Sequence, residues 1–425
     1  MVINLAIDGG EPVRSRPLPA GFLGSRLVGD EEKAAVLRAL EGRALSRVGG
    51  LTPPGTVAAF ERALAAKLGI KYALGVTSGT AALKAAVAAL GIGPGDEVIV
   101  PALNFISSPE SVLHFGALPV FAEVDASLSL DPEDFRRKIT SRTKAVMPTH
   151  VFGVACPMNE IMAVARERGI AVVENCAWSC GARYFDSYVG TIGNIGIYSL
   201  QAVKVITAGE GGVVVTASPY LYERAVRYHN HGNFLPAGTP PGPFEGDAEA
   251  FTPELDPFVG DAFRMNELTG AVALAQVPKL DRVLDVCRAA KQRIVAGLQD
   301  LDGVHLRPAA DPAGDAGIAL IVTFDQASDA AWWQSALTAE GVPFRPVYGG
   351  APVYLLPQIQ NPRPSWTNGQ SFFRDGSSPR YEAGLCPRTE SLMARSLQMA
   401  ISPEFTEEDC ADVVAAVRKV AAGRP

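Results

Sequence analysis

From residue 72 onward the chain alternates short Val- and Ile-rich runs with helical patterns, and this alternation restricts the fold more than any other feature. The runs EVIVP (97–101), ALPVFAEV (117–124), AVMPTHV (145–151), AVVENC (171–176), GIYSL (196–200) and GGVVVT (211–216) are bounded by Gly, Pro and Asp. Apolar runs without polar alternation suit strands buried on both faces, the condition of a parallel sheet. Between them, GTAALKAAVAAL (79–90), PEDFRRKI (132–139) and NEIMAVARERG (159–169) carry helical spacing. The expectation is an α/β fold with a large, mostly parallel sheet and crossover helices.

Two acid-started helices, over 30–42 and 55–69, precede this series. The stretch 233–260 is too rich in Pro and Gly for a helix or a central strand. A loop of that length inside a compact protein is usually functional or disordered. The segment 265–299 then reads as a long helix broken at Pro278, and IALIVTF (318–324), DAAWWQSALTAEG (329–341) and EEDCADVVAAVRKV (407–420) outline a second, smaller α/β unit. Residues 343–387, rich in Pro, Gly and aromatics, form a substrate-side loop. A chain of 425 residues exceeds one ordinary core. The expected division is 1–275, an N-terminal arm with the large domain, and 276–425, a small C-terminal domain.

A net charge of −7 argues against nucleic-acid or acidic-membrane partners, which select a basic face. No apolar run approaches the roughly 18 residues of a membrane span, and MVINLAIDGGEPVRS lacks the charged and apolar regions of a signal peptide. The six cysteines are scattered, and only Cys176 and Cys180 are close, with no second pair to complete a zinc site. Reduced thiols, no metal and a cytoplasmic location are expected.

Two segments carry chemistry. In Ser199–Gly212 (SLQAVKVITAGEGG), Lys204 follows a buried strand and precedes a glycine cluster. Partial desolvation there would make its amine nucleophilic toward a carbonyl. In TSGTAAL (77–83), small residues at a strand-to-helix junction let backbone amides approach a phosphate, helped by the positive potential of the helix start.

In order and spacing, TSGTAAL, GIGPGDEVIVPA, PMNEIMAVARERG, VGTIGNIGIYS, KVITAGEGG and FRMNELTGAVALAQ resemble the DegT-type (StrS-like) family of pyridoxal-phosphate (PLP) dependent sugar and aminocyclitol aminotransferases, over nearly the whole chain. The opening and the length look most like the branch acting on keto-inositols and related aminocyclitol precursors. The resemblance implies the aspartate-aminotransferase-like fold, fold type I, and a homodimer that uses glutamine or glutamate as amino donor in natural-product biosynthesis. It also implies Lys204 as the lysine holding the cofactor and Ser78, Gly79, Thr80 and Ser199 at its phosphate. Phe105, in PALNFISS, would lie against the pyridine ring.

The cofactor strand departs from the family's pattern. Where the family reads Glu-Asp-x-Ala-Gln or -His, this chain has Glu174-Asn175-Cys176-Ala177-Trp178. The family's Asp pairs with the protonated pyridine nitrogen, and Asn175 offers a hydrogen bond without charge. An ion pair at about 4 Å in an effective dielectric of 20 is worth roughly 4 kcal/mol, or about three pKa units. The ring nitrogen is therefore expected to be mostly unprotonated, and a weaker electron sink. Trp178 replaces a residue near the cofactor's phenolic oxygen, and its indole N–H donates but cannot accept. Ala262 stands where an Asn usually reaches a neighbouring subunit's phosphate. Transamination leads, and two alternatives stay open: a PLP reaction of another type (elimination, racemisation, aldol-type or cyclisation) and a non-catalytic sensor or scaffold. His229 and His231, in YHNHGN, are expected to line the substrate mouth.

Overall fold

The structure is a computed structural model and describes residues 4–21, 23–43, 45–48, 55–232, 257–365, 371, 373 and 379–424. Helices α1 (Asp30–Glu41) and α2 (Thr56–Leu68) come first. Val57, Phe60, Leu64 and Leu68 recur at helical spacing along α2 and are buried. The helix ends at Gly69, whose φ of +66° a side chain would resist.

The large sheet is built from β1 (Tyr72–Val76), β2 (Glu97–Pro101), β3 (Leu118–Ala122), β4 (Thr143–Val146), β5 (Ala171–Asn175), β8 (Ile195–Ser199) and β9 (Gly212–Thr216). A two-stranded hairpin, β6 (Arg183–Tyr184) and β7 (Ser187–Tyr188), lies between β5 and β8. The spatial order is β1-β9-β8-β5-β4-β2-β3. Every strand runs the same way except β9, which pairs antiparallel with both β8 and β1. The crossover helices are α3 (Gly79–Ala89), α4 (Ser107–Leu113), α5 (Pro132–Lys138) and α6 (Met158–Arg168), and α7 (Pro219–Tyr228) follows the last strand. One core, with Phe60, Ile99, Val172 and Tyr198, and another, with Leu74, Val98, Val173 and Ile197, hold side chains of alternating strand positions. The fold therefore brings the C-terminal ends of β1, β2, β4, β5 and β8 to one edge, where open α/β sheets bind ligands.

The run expected over 145–151 pairs as a strand only from Thr143 to Val146. Pro148 has no N–H to donate, and beyond it only Thr149 makes an isolated bridge, to Asn175.

Helix α8 (Glu267–Gln276) is followed by a 3₁₀ turn at Val277–Lys279 and by α9 (Leu280–Ala296), so the expected break at Pro278 is present. The smaller sheet has the order β10 (His305–Leu306), β11 (Ala319–Thr323), β13 (Ser396–Ala400), β12 (Arg345–Pro346), all antiparallel. With it go α10 (Ala327–Ala339), α12 (Pro387–Ala394) and α13 (Glu407–Ala422), while α11 (Pro357–Gln360) buries Ile359 in the core of the large sheet that holds Leu74 and Val98. Leu320, Val322, Leu397 and Met399 share one core with Trp333 and Val413 from the helices. Ala319 and Ile321 share another with Leu103, Val151 and Phe152 of the large unit.

The first part of the N-terminal arm packs on the smaller unit. Leu5 is buried, Ala6 and Val13 donate backbone N–H groups to the Glu340 carboxylate, and Arg14 pairs with Asp409 and Asp412 on α13. The six cysteines are free and buried. No helix among the described residues is long and apolar enough to cross a membrane.

Candidate active site at the sheet edge

Lys204 sits just past β8, with its Nζ 3.1 Å from the centre of the Trp178 ring. Burial lowers its pKa from 10.5 to about 7, because removing the ammonium from water favours the neutral amine. No hydrogen bond or ion pair of its side chain to another protein group is present among the described residues. A half-buried amine with a pKa near 7 and no hydrogen-bond partner is in good part neutral at physiological pH, and so nucleophilic.

The junction of β1 and α3 stands beside it. Ser78 caps α3 by accepting the Ala81 N–H at 3.0 Å, so its hydroxyl serves the helix first. The Gly79 and Thr80 amides, at the helix start, have no partner among the described residues. Thr80 Oγ1 lies 2.8 Å from Ser107 Oγ. A Cβ added to Gly79 would stand 2.9 Å from the Ser199 Cβ and 3.2 Å from its Oγ. Glycine at 79 is thus what lets the strand-end Ser199 approach the helix start. Two free amides, two hydroxyls and a helix N-terminus fit a phosphate.

At the end of β5, Asn175 is 3% exposed. Its Oδ1 accepts the Ala177 N–H at 3.0 Å and its Nδ2 donates to Ser108 Oγ at 2.9 Å. Phe105, after β2, is 57% exposed despite its aromatic ring, an arrangement that suits a side chain meant to stack on something else. The residues present therefore fit PLP: an amine for its aldehyde, a cup for its phosphate, a ring for its face and a polar group for its nitrogen.

Trp178 packs against Phe152, with ring centres 5.2 Å apart, and Phe152 against Tyr348 at 5.3 Å. Phe152 and Tyr348 hold positive φ angles of 51° and 47°, unusual for aromatic residues. Trp178 and Phe152 also wall a cavity of 460 Å³ between the arm at Leu18–Leu23 and the smaller sheet, where Arg345 is a lining cation. Neither Phe152 nor Tyr348 is distinguishable by sequence pattern from a core aromatic.

The expectation for His229 fails. It is buried, its Nδ1 contacts the Val226 carbonyl, and its pKa falls to about 3 through burial and the nearby positive charge of Arg47. Arg47 itself pairs with the buried Glu61. His229 thus belongs to the interior behind α7, while His231 is exposed with φ +59°. Of the stretch 233–260, residues 233–256 lie outside the described residues. Ala262 adjoins a β-bridge partner, Asn230.

Glu174, next to Asn175, is a scaffold residue. Its carboxylate accepts N–H groups from Gly190, Ile192 and Gly193 and contacts His150 Nε2 at 3.1 Å. His150 Nδ1 accepts the Cys156 N–H. The cluster of His150, Glu174 and Cys176 is therefore occupied by protein hydrogen bonds.

A family model described as "DegT/DnrJ/EryC1/StrS aminotransferase family" matches residues 27–418. The L-glutamine:2-deoxy-scyllo-inosose aminotransferase of Streptomyces fradiae is 33% identical over 433 aligned positions, 99% of this chain and 98% of that one. The enzyme of the same name from Streptomyces paromomycinus aligns more locally, at 35% over 287 residues, 66% of this chain and 65% of its own. Among solved structures, 3-amino-5-hydroxybenzoic acid synthase superposes with a TM-score of 0.78 at 27% identity, covering 97% of this chain and all of that one. DesI, solved in the presence of its TDP-sugar product, gives 0.77 at 26% identity over 100% and 97%.

Proposed function

Because the chain belongs to the DegT/DnrJ/EryC1/StrS aminotransferase family, we propose that it moves the amino group of glutamine or glutamate onto the ketone of a keto-cyclitol or related keto-sugar. It is a PLP-dependent transferase of fold type I. The choice of substrate class leans on the Streptomyces fradiae relative, similar from end to end. The observation that carries the assignment of the site is Lys204, a half-buried amine whose pKa burial lowers to about 7, five residues past Ser199, which meets the helix start at Gly79.

In this reading the Gly79 and Thr80 amides, with the Thr80 and Ser199 hydroxyls, hold the phosphate, Phe105 covers the ring, and Asn175 faces its nitrogen. The cofactor supplies an aldehyde that links to amines and a ring that takes up electrons when a neighbouring C–H bond breaks. Lys204 then carries the proton. An amine at about 7 accepts a proton and returns it with nearly equal ease at neutral pH. Trp178 covers that amine and keeps water from it. His231 is retained at the substrate mouth.

A cytoplasmic homodimer completes the proposal. A cofactor ring covered only by the exposed Phe105 invites a second copy to close the site, and twofold dimers are the commonest closed assembly. Buried free thiols suit a reducing compartment.

The test uses purified protein. A visible absorbance band should vanish on borohydride treatment, leaving cofactor mass on the peptide containing Lys204, and Lys204→Ala should abolish that label while the circular dichroism spectrum is unchanged. Glutamine should convert the band to that of the amino form, and a keto-inositol should restore it. Label on another lysine, or no spectral response to any amino donor, would sink the assignment.

A further inference from the structure

Position 175 is surrounded by hydrogen bonds whose directions can be worked out atom by atom. A backbone N–H can only donate, so the limb of Asn175 that meets the Ala177 N–H is its oxygen. The other limb, facing Ser108 Oγ at 2.9 Å, is therefore the NH₂ group. The far side of Ser108 is settled in the same way. The Phe105 N–H donates to Asn104 at 2.9 Å, which identifies Asn104 Oδ1, and Ser108 Oγ lies 2.9 Å from that same oxygen. Ser108 has one hydrogen, and it goes to Asn104 Oδ1. Its lone pair is left to receive Asn175 Nδ2. Asn104 Nδ2 in turn donates to Thr149 Oγ1 at 2.9 Å, and Thr149 bridges back to Asn175 along the strand edge.

Asn104, Ser108, Thr149 and Asn175 are each at most 3% exposed, so water does not compete for these bonds. Asn175 Nδ2 carries two hydrogens and spends one on Ser108. Its oxygen accepts the Ala177 N–H with one of two lone pairs. The donor it has left is a single N–H.

We propose that Asn175 presents this second N–H to the pyridine nitrogen and so holds that nitrogen unprotonated, with Ser108 and Asn104 as the positioning residues that set the amide's direction. The proposal rests on the reading above that Asn175 faces the ring. A pyridine nitrogen that accepts a hydrogen bond cannot at the same time carry a proton on that lone pair. The chain thus replaces a charge pair with a neutral, directional bond, and the surrounding network is wired to suit an amide. An aspartate at 175 would meet Ser108 lone pair to lone pair unless the serine turned its hydrogen away from Asn104.

The measurement is the ¹⁵N resonance of ring-labelled PLP bound to the full-length protein, followed from pH 6 to 9. The wild type is expected to stay at the hydrogen-bonded neutral-pyridine position throughout, and Asn175→Asp to move to the pyridinium position. Ser108→Ala should displace the resonance toward that of a free neutral pyridine, and Ser108→Thr, which keeps the hydroxyl, should restore it. A merely structural role for Ser108 would alter stability without moving this signal. A wild-type pyridinium resonance with the cofactor on Lys204 overturns the proposal, as does an Asn175→Asp resonance that stays neutral. If no cofactor is found on Lys204, the assignment of the site fails instead, so the two failures are distinct.

Discussion

In the role proposed for it, Lys204 is nucleophilic only while its amine is neutral, and the indole of Trp178 affects that balance in two opposing ways. Stacking on the ring face favours the ammonium by about 0.5–2 kcal/mol, close to one pKa unit. Exclusion of water favours the amine, and burial wins here, since it brings the group from 10.5 to about 7. Below pH 7 the amine is protonated and unreactive, and above it the amine is free. Trp178→Ala admits water, so the midpoint for covalent capture of PLP should rise by about one unit or more. The capture rate measured across pH by the growth of the visible band reads this directly. A midpoint that stays put would mean that other walls, and not Trp178, desolvate the lysine.

At the scale of elements, the site depends on helices being started from a distance. Glu267, at the beginning of α8, is buried, and its Oε2 accepts the N–H groups of Gly55, Thr56 and Val57 and the Thr56 hydroxyl. One carboxylate thus caps α2 in place of a local Ser or Asp. Glu267→Ala should cost about 3 kcal/mol, the scale of charged hydrogen bonds lost from the interior, seen as a lower midpoint in urea with an unchanged slope. Glu267→Gln, which keeps one oxygen, should lose less. This arrangement also shows what could be read in the sequence. The apolar runs quoted above contain the strands of the large sheet because they lie between breakers, although the run at 145–151 pairs only as far as Val146 and Lys144 of β4 is exposed. The helix start at Ser-Gly-Thr was legible because a serine at a strand end caps the helix that follows, as Ser78 does here. The reversed direction of β9 was not legible, since GVVVT looks the same read either way. Nor was β13, whose SLQMA carries polar Ser396 and Gln398 between its apolar residues. Asn104 lies in the loop before α4 and Ser108 in its first turn, so no helical spacing in the sequence pairs them. His229 misled because a pair of histidines before a loop suggests a surface, while the partners that bury it, Arg47 and Val226, include a residue 182 positions away.

At the scale of the whole molecule, the arm ties the two units together across the site. One end is held on the smaller unit, where Arg14, 5% exposed, bonds Asp409 at 2.7 Å and Asp412 at 2.6 Å. The other end reaches the lysine loop, where the Gly24 N–H donates to the Lys204 carbonyl at 2.9 Å and the Ser25 hydroxyl to the Ala202 carbonyl at 2.7 Å. Between them Leu18, Pro19, Ala20, Gly21 and Leu23 line the cavity beside Trp178. Removing one partner of a buried ion pair leaves a charge uncompensated and costs about 3–5 kcal/mol. Arg14→Ala would leave Asp409, whose pKa its hydrogen bonds with Thr406 and Arg14 hold low against burial. That carboxylate contributes stability above its unfolded pKa near 3.9, a contribution lost as pH falls through its lower folded value. At neutral pH the variant should therefore be destabilised, and the gap from wild type should narrow under acid conditions that protonate Asp409. If the arm couples the units as its bonds suggest, amide exchange should also quicken over residues 18–25, and PLP should be released faster from Lys204. A variant that loses stability while exchange over 18–25 and cofactor release stay at wild-type rates would show that the arm braces the smaller unit alone.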